Sequence, residues 1–132
     1  MSTDHASTQN VAEPARAYIQ AVGRRDLAPL ETLLADGMVA TFAGGSFSKE
    51  EWLEALRRLL PALERNDIRE VFADGERACV VYDFVTGTPA GAVRCVELLT
   101  VRDGRITEVE LLLDRVAFAP VNEALQAAAA AR

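Results

Sequence analysis

The sequence is poor in the residues that most metal centres and nucleophilic triads require. It holds a single histidine, His5, and two cysteines, Cys79 and Cys95. One imidazole in a polar N-terminal stretch is too little for a histidine-based metal site or a Ser–His–Asp triad. No metal and no other cofactor is expected. Cys79 and Cys95 both sit in strand-like runs and read as buried thiols rather than a disulfide. No run of about 18 apolar residues occurs, so no membrane-spanning helix is expected. Met1 to Asn10 is polar and has no apolar signal core, which suits a cytoplasmic chain. Basic residues are also scarce. Fourteen Lys and Arg face 20 Asp and Glu, for a net charge of -6, and the densest basic groups are the pairs Arg24-Arg25 and Arg57-Arg58. An acidic surface repels phosphate backbones, so nucleic acid is not an expected partner.

What remains is an ordinary globular composition, half hydrophobic and about a quarter charged over 132 residues. That suits one domain with one core. Residues 1–10 lack periodicity and read as a disordered tail. Val11, Ala15, Tyr18, Ile19 and Val22 recur at helical spacing, and Gly23 ends that helix. Asp26 and Pro29 open a short second helix with Leu27, Leu30, Leu33 and Leu34 inside, and Asp36-Gly37 stops it. Met38 to Phe42 is a strand, followed by an Ala43-Gly44-Gly45 loop. Ser48 to Glu51 matches a capping box, ahead of a stripe formed by Trp52, Leu53, Leu56, Leu59, Leu60 and Leu63.

From Asp67 the hydrophobic period becomes two. Strands are expected over Ile68 to Ala73, Ala78 to Thr86, Ala92 to Arg102 and Arg105 to Phe118. The connections are Asp74-Gly75, the Gly87 to Gly91 loop, and the hairpin turn Asp103-Gly104. Ala119-Pro120 ends the last strand, and residues 119–132 form an Ala-rich tail with the propensity for a frayed helix but few anchors. Helices segregated from an antiparallel sheet give the α+β class. A strongly bent sheet around about three helices leaves space for an internal pocket.

This order, with "ARAYIQAVGRRDLAPLETLLADGMVATF" and "VELLTVRDGRITEVELLLD", resembles the nuclear transport factor 2-like superfamily, in its SnoaL-like and ketosteroid-isomerase-like branch. The resemblance covers residues 11–118. It implies a cone-shaped single domain with a pocket for a small, largely apolar organic molecule, and a homodimer through the sheet. It also implies one of several activities: isomerase, cyclase, dehydratase, hydrolase, or ligand binding without catalysis. In the ketosteroid-isomerase pattern the oxyanion-hole tyrosine falls on Tyr18 and its acidic partner on Glu97. The catalytic base falls on Phe42, which cannot take a proton, so that mechanism does not transfer whole. The epoxide-hydrolase trio would fall on Leu111, Val81 and Asp83, and only the last is charged. SnoaL-type cyclases need one acid, which this chain can supply.

Three residues are candidates for catalysis. Glu97 lies in "CVELL", apolar on both sides. A carboxyl buried there must be paired or protonated, and its pKa rises; at a strand edge it would instead pair with Arg94 or Arg115. Tyr18 offers a hydroxyl for an oxyanion, or simply packs in the core. Asp83 lies in "VVYDFVT". Alternation sends Tyr82 and Asp83 to opposite faces, without saying which is inside. If both acids point inward, they titrate as a coupled pair. Asp114 can reach the pocket mouth or lie on the surface beside Arg115. Phe42, Trp52, Val39, Leu99, Leu111 and Phe84 are the expected substrate-binding walls, with core packing as the plain alternative; Phe47, Phe72 and Val101 are similarly placed. The expected function is acid/base chemistry on a small apolar substrate without a cofactor. The alternative is a non-catalytic binding or dimeric interaction module.

Overall fold

The computed structural model describes residues 3–131, with side chains from Val11 onward. Its elements are α1 (Thr3–Gly23), α2 (Leu30–Leu33), β1 (Leu34–Phe42), β2 (Gly45–Ser48), α3 (Lys49–Leu59), a 3-10 turn (Leu60–Ala62), β3 (Leu63–Asp74), β4 (Arg77–Thr86), β5 (Ala92–Arg102), β6 (Arg105–Leu113) and α4 (Arg115–Ala130). Six strands form one curved, unclosed sheet in the order β2-β1-β6-β5-β4-β3. All neighbours are antiparallel except β1 and β6, which run parallel. The fold is α+β, with α1 and α3 packed on the concave face. No helix among the described residues is long and apolar enough to cross a membrane.

Local chemistry accounts for most boundaries. The capping box forms as expected: Glu51 N–H donates to Ser48 Oγ at 3.2 Å, and Ser48 N–H donates to Glu51 Oε1 at 2.8 Å. Asp103 and Gly104 take φ of 52° and 76°, the paired left-handed geometry that joins β5 to β6 in a tight hairpin. Cys79 and Cys95 are both free thiols, but only Cys95 is buried; Cys79 turns to the outer face and is partly exposed.

Several expected boundaries move. Helix α1 begins at Thr3, so the polar stretch read as a tail is helical over 3–10, while residues 1 and 2 lie outside the described residues. Once Val11 to Gly23 is anchored on the sheet, each added residue gains a backbone hydrogen bond at little cost. Ala43 and Gly44 are a turn, not an open loop, and they pair β1 with the unanticipated strand β2. Asp36-Gly37 interrupts the register of β1 instead of preceding it. Pro61 tightens the end of α3 into the 3-10 turn, and Leu63 opens β3.

The largest correction is at the C-terminus. The last strand stops at Leu113, and Ala119-Pro120 is not its end. Asp114 Oδ1 accepts from Val116 N at 2.9 Å and Ala117 N at 3.1 Å, an N-cap that starts α4. Phe118 and Val121 are buried and anchor the alanine-rich helix, Phe118 tilted against Phe84 with ring centroids 5.6 Å apart.

Candidate active site

The concave face and the helices leave an apolar cavity of about 160 Å³ between them. An apolar cavity near 150 Å³ accommodates a benzene-sized molecule, so the space suits roughly one ring. Strand alternation decides which side chains reach it. On β4, Ala78, Val80, Tyr82 and Phe84 are buried beneath the helices, while Cys79, Val81, Asp83 and Val85 turn outward. On β5, Cys95 and Glu97 face the same way as Tyr82, with Cys95 paired to Tyr82 and Glu97 paired to both Val80 and Leu111.

Glu97 is the chemical centre. It is 3% exposed. Tyr82 Oη donates to its Oε1 at 2.5 Å, the short distance typical of a phenol on a carboxylate. Its Oε2 has no hydrogen-bond partner among the described residues. Burial pushes the Glu97 pKa up from 4.5 to about 7, against the opposing pull of the Tyr82 and then the Tyr18 hydroxyl. Near neutral pH the group therefore exchanges readily between acid and base, as a proton-transfer catalyst must. Burial, followed by the nearby Glu97 charge, raises both phenols well above their ordinary 10, so both keep their protons.

Tyr18 is fully buried on α1. Trp52 Nε1 on α3 donates to its hydroxyl oxygen at 2.9 Å. An indole can only donate, so the Tyr18 oxygen accepts that bond and its own O–H is free to donate, with the Glu97 carboxyl near enough to receive it. Phe47 tilts against Trp52 with centroids 5.5 Å apart and fixes the indole. Cys95 also lines the cavity, but burial and the Glu97 charge push its thiol up to about 12. It stays protonated and is a poor nucleophile. Among the described residues no cluster of three His, Cys, Asp or Glu side chains is arranged to hold a metal.

Of the expected site residues, Tyr18, Glu97, Phe42, Trp52, Leu111 and Phe84 converge on this cavity. Four do not. Asp83 is on the outer face, where Arg94 Nε donates at 2.6 Å and Arg69 at 3.0 Å. Those bonds, Arg94's first, hold its carboxyl below the ordinary 3.8, and no coupled acid pair exists. Asp114 is consumed as the α4 cap. Val39 is 45% exposed on the outward side of β1. Leu99 packs in the core two residues past Glu97, paired with Ala78 and Val109. Asn66, Phe118 and Asn122, not singled out from the sequence, also lie on the cavity wall, as does Tyr82, which the sequence had left unassigned to a face. Tyr82 follows by alternation once Asp83 is known to be outside. Asn66 fell in the stretch between the expected end of α3 and the first period-two residues.

Asn66 is the second polar feature of the wall. Its Nδ2 donates to the Ile19 carbonyl of α1 at 3.0 Å, and its Oδ1 is buried without a partner among the described residues. An unpaired buried acceptor costs about 1–3 kcal/mol. The close approach of α1 to this point depends on Gly23, where a Cβ would lie 2.8 Å from Asn66 N.

A family model described as the SnoaL-like domain matches residues 15–109. Among solved structures, a protein from Kribbella flavida aligns with a TM-score of 0.77 at 27% identity, over 86% of this chain and 93% of that one. A steroid delta-isomerase from Pseudomonas aeruginosa aligns at 0.72 and 19%, over 92% and 93%. An LEH-like epoxide hydrolase from M. tuberculosis aligns at 0.69 and 20%, over 95% and 98%. No curated protein sequence matches the chain.

Proposed function

The chain belongs to the SnoaL-like domain family, in the nuclear transport factor 2-like superfamily, and from that premise we propose that it is an acid/base catalyst for a small, largely apolar carbonyl compound. One observation carries the reading: Glu97 is buried in the apolar cavity with a pKa near neutrality and one oxygen unpaired. In the proposed step, the Glu97 carboxylate takes a proton from the carbon next to the carbonyl. The electron pair of the broken C–H bond moves to the carbonyl oxygen, giving an enolate. The Tyr18 O–H donates to that oxygen, and Trp52 holds the phenol in place. Glu97 then returns the proton to the same or a conjugated carbon, which regenerates the carboxylate.

The test is deuterium exchange. Acetophenone and single-ring β,γ-unsaturated cyclic ketones are incubated with the protein in D₂O and followed by NMR. Protein-dependent exchange next to the carbonyl is expected, and Glu97→Gln should remove it. No exchange with wild-type protein, or full exchange with Glu97→Gln, ends the proposal.

Phe42 favours a second reading. It lines the cavity where the isomerase resemblance would put a base, so the pocket would hold a ligand without transforming it. Saturable binding of these ketones without exchange would select that reading.

A homodimer through the sheet is the proposed assembly. It is supported by the outward rows Phe72–Cys79–Leu98 and Val81–Val96–Leu112, of which Phe72 and Leu112 are 56% and 47% exposed. Sedimentation of Leu112→Glu as a monomer beside a dimeric wild type would support it. A monomeric wild type would sink it. The two free thiols suit a reducing, cytoplasmic setting.

A further inference from the structure

We propose that the cavity selects a single-ring molecule with a hydroxyl at the end opposite its carbonyl, and that Asn66 Oδ1 accepts from that hydroxyl. The carbonyl end rests on the function proposed above; the hydroxyl end does not. Among the described residues, two buried side-chain polar atoms lack a partner, Glu97 Oε2 and Asn66 Oδ1. Both residues line the same cavity. Native interiors rarely leave such atoms unpaired, and a functional site is one of the few explanations.

The direction of the Asn66 amide follows from its other bond. The Ile19 carbonyl can only accept, so the amide nitrogen must face it, and the amide oxygen is left unpaired on a residue that lines the cavity. The ligand group there must therefore be a donor. A neutral hydroxyl fits an apolar wall better than an ammonium, whose burial without a counter-charge is costly.

Position separates the two polar ends. Asn66 pairs with Phe84, and Glu97 pairs with Val80. Along β4 these rows are about 13 Å apart at the backbone. The two residues also lie on the strands either side of β4, about 10 Å apart across the sheet. Between them the wall is Phe84, the Tyr82 ring and Phe118. A ring with polar groups at opposite ends matches this sequence of donor-seeking, apolar and proton-exchanging surfaces. A site that supplies an acceptor for a ligand hydroxyl discriminates against analogues lacking it, because the acceptor is then left unpaired.

The probes are 4-hydroxyacetophenone, acetophenone and 4-methoxyacetophenone, titrated calorimetrically at pH 6 into the full chain. The 4-hydroxy compound is expected to bind at least about tenfold tighter than the other two, one hydrogen bond's worth. In Asn66→Leu that preference should shrink to within about twofold. Equal binding of the three ketones to wild-type protein overturns the proposal, as do a preference that survives in Asn66→Leu and the absence of saturable binding by any of them. Should Asn66→Leu fail to fold by circular dichroism, the three-ligand comparison on wild-type protein decides alone. The two proposals fail separately. Hydroxyl preference without deuterium exchange removes the catalytic reading and leaves the Asn66 site; exchange without hydroxyl preference does the reverse.

Discussion

Glu97 and Asp83 lie on adjacent strands, each in an apolar run, and the sheet gives them opposite environments. Glu97 turns toward the helices, meets Tyr82 and loses water, and its pKa rises to about 7. Asp83 turns outward, meets Arg94 and Arg69 in contact with solvent, and its pKa falls. The same functional group is a proton carrier on one face and a fixed anion on the other. Desolvation dominates on the inner face and hydrogen-bonded counter-charge on the outer. A carboxylate in an apolar strand is therefore not by itself a catalytic sign; the face it occupies decides.

Activity should separate the pair most strongly. Glu97→Gln is expected to lower deuterium exchange by about 10²–10⁴-fold, whereas Asp83→Asn should stay within about twofold, read by NMR initial rates. Equal losses would erase the contrast. The wild-type rate should rise as pH climbs through about 7 and then level, since the base form of Glu97 is the active one. Tyr82→Phe removes the main group that favours the charged carboxyl, so that midpoint should move upward. Tyr18→Phe should cost about 10²-fold through loss of the oxyanion donor, with the midpoint moving less.

Stability gives the second contrast. A Glu97 pKa raised from 4.5 to about 7 means that the folded protein holds a proton the unfolded chain releases. Its contribution is complete below 4.5 and is lost as pH rises toward 7. At about 1.4 kcal/mol per pH unit, that loss is about 3 kcal/mol. Glu97→Gln should remove this dependence, so urea melts at pH 8 should show the variant gaining on wild type relative to pH 4.5. Asp83 has the opposite sign. Its lowered pKa contributes above 3.8 and is lost on acidification. The effect is smaller, because Arg69 and Arg94 are about half exposed; Asp83→Asn should cost about 1 kcal/mol or less at pH 7.

Much of the fold was legible from residues close together in the chain. The stripe on α1, the Ser48 to Glu51 box and the Asp103-Gly104 turn each act within a few residues, and all formed where their chemistry pointed. Glu97 and Tyr18 were legible as candidates because each is a polar group within an apolar pattern. The last strand was expected to run past Asp114 to Phe118 because "LLLD" continues a strand pattern until an N-cap competes with it, whereas Asp114 itself is exposed, as a surface acid would be. The cap satisfies two amides that would otherwise go unpaired.

By itself the sequence determined the α+β class, the tight turns, the helix caps it signalled and the presence of acids in apolar runs, since propensity, capping and φ > 0 geometry are local. Tertiary structure alone decided which face of β4 is inside. Val81 and Val85 are apolar on the outside, as Val80 and Phe84 are on the inside, so alternation had no polarity to orient it. It also decided that Asn66 on β3 would hold its oxygen buried and unpaired beside the cavity, because the carbonyl that holds its nitrogen comes from a helix 47 residues away in the chain.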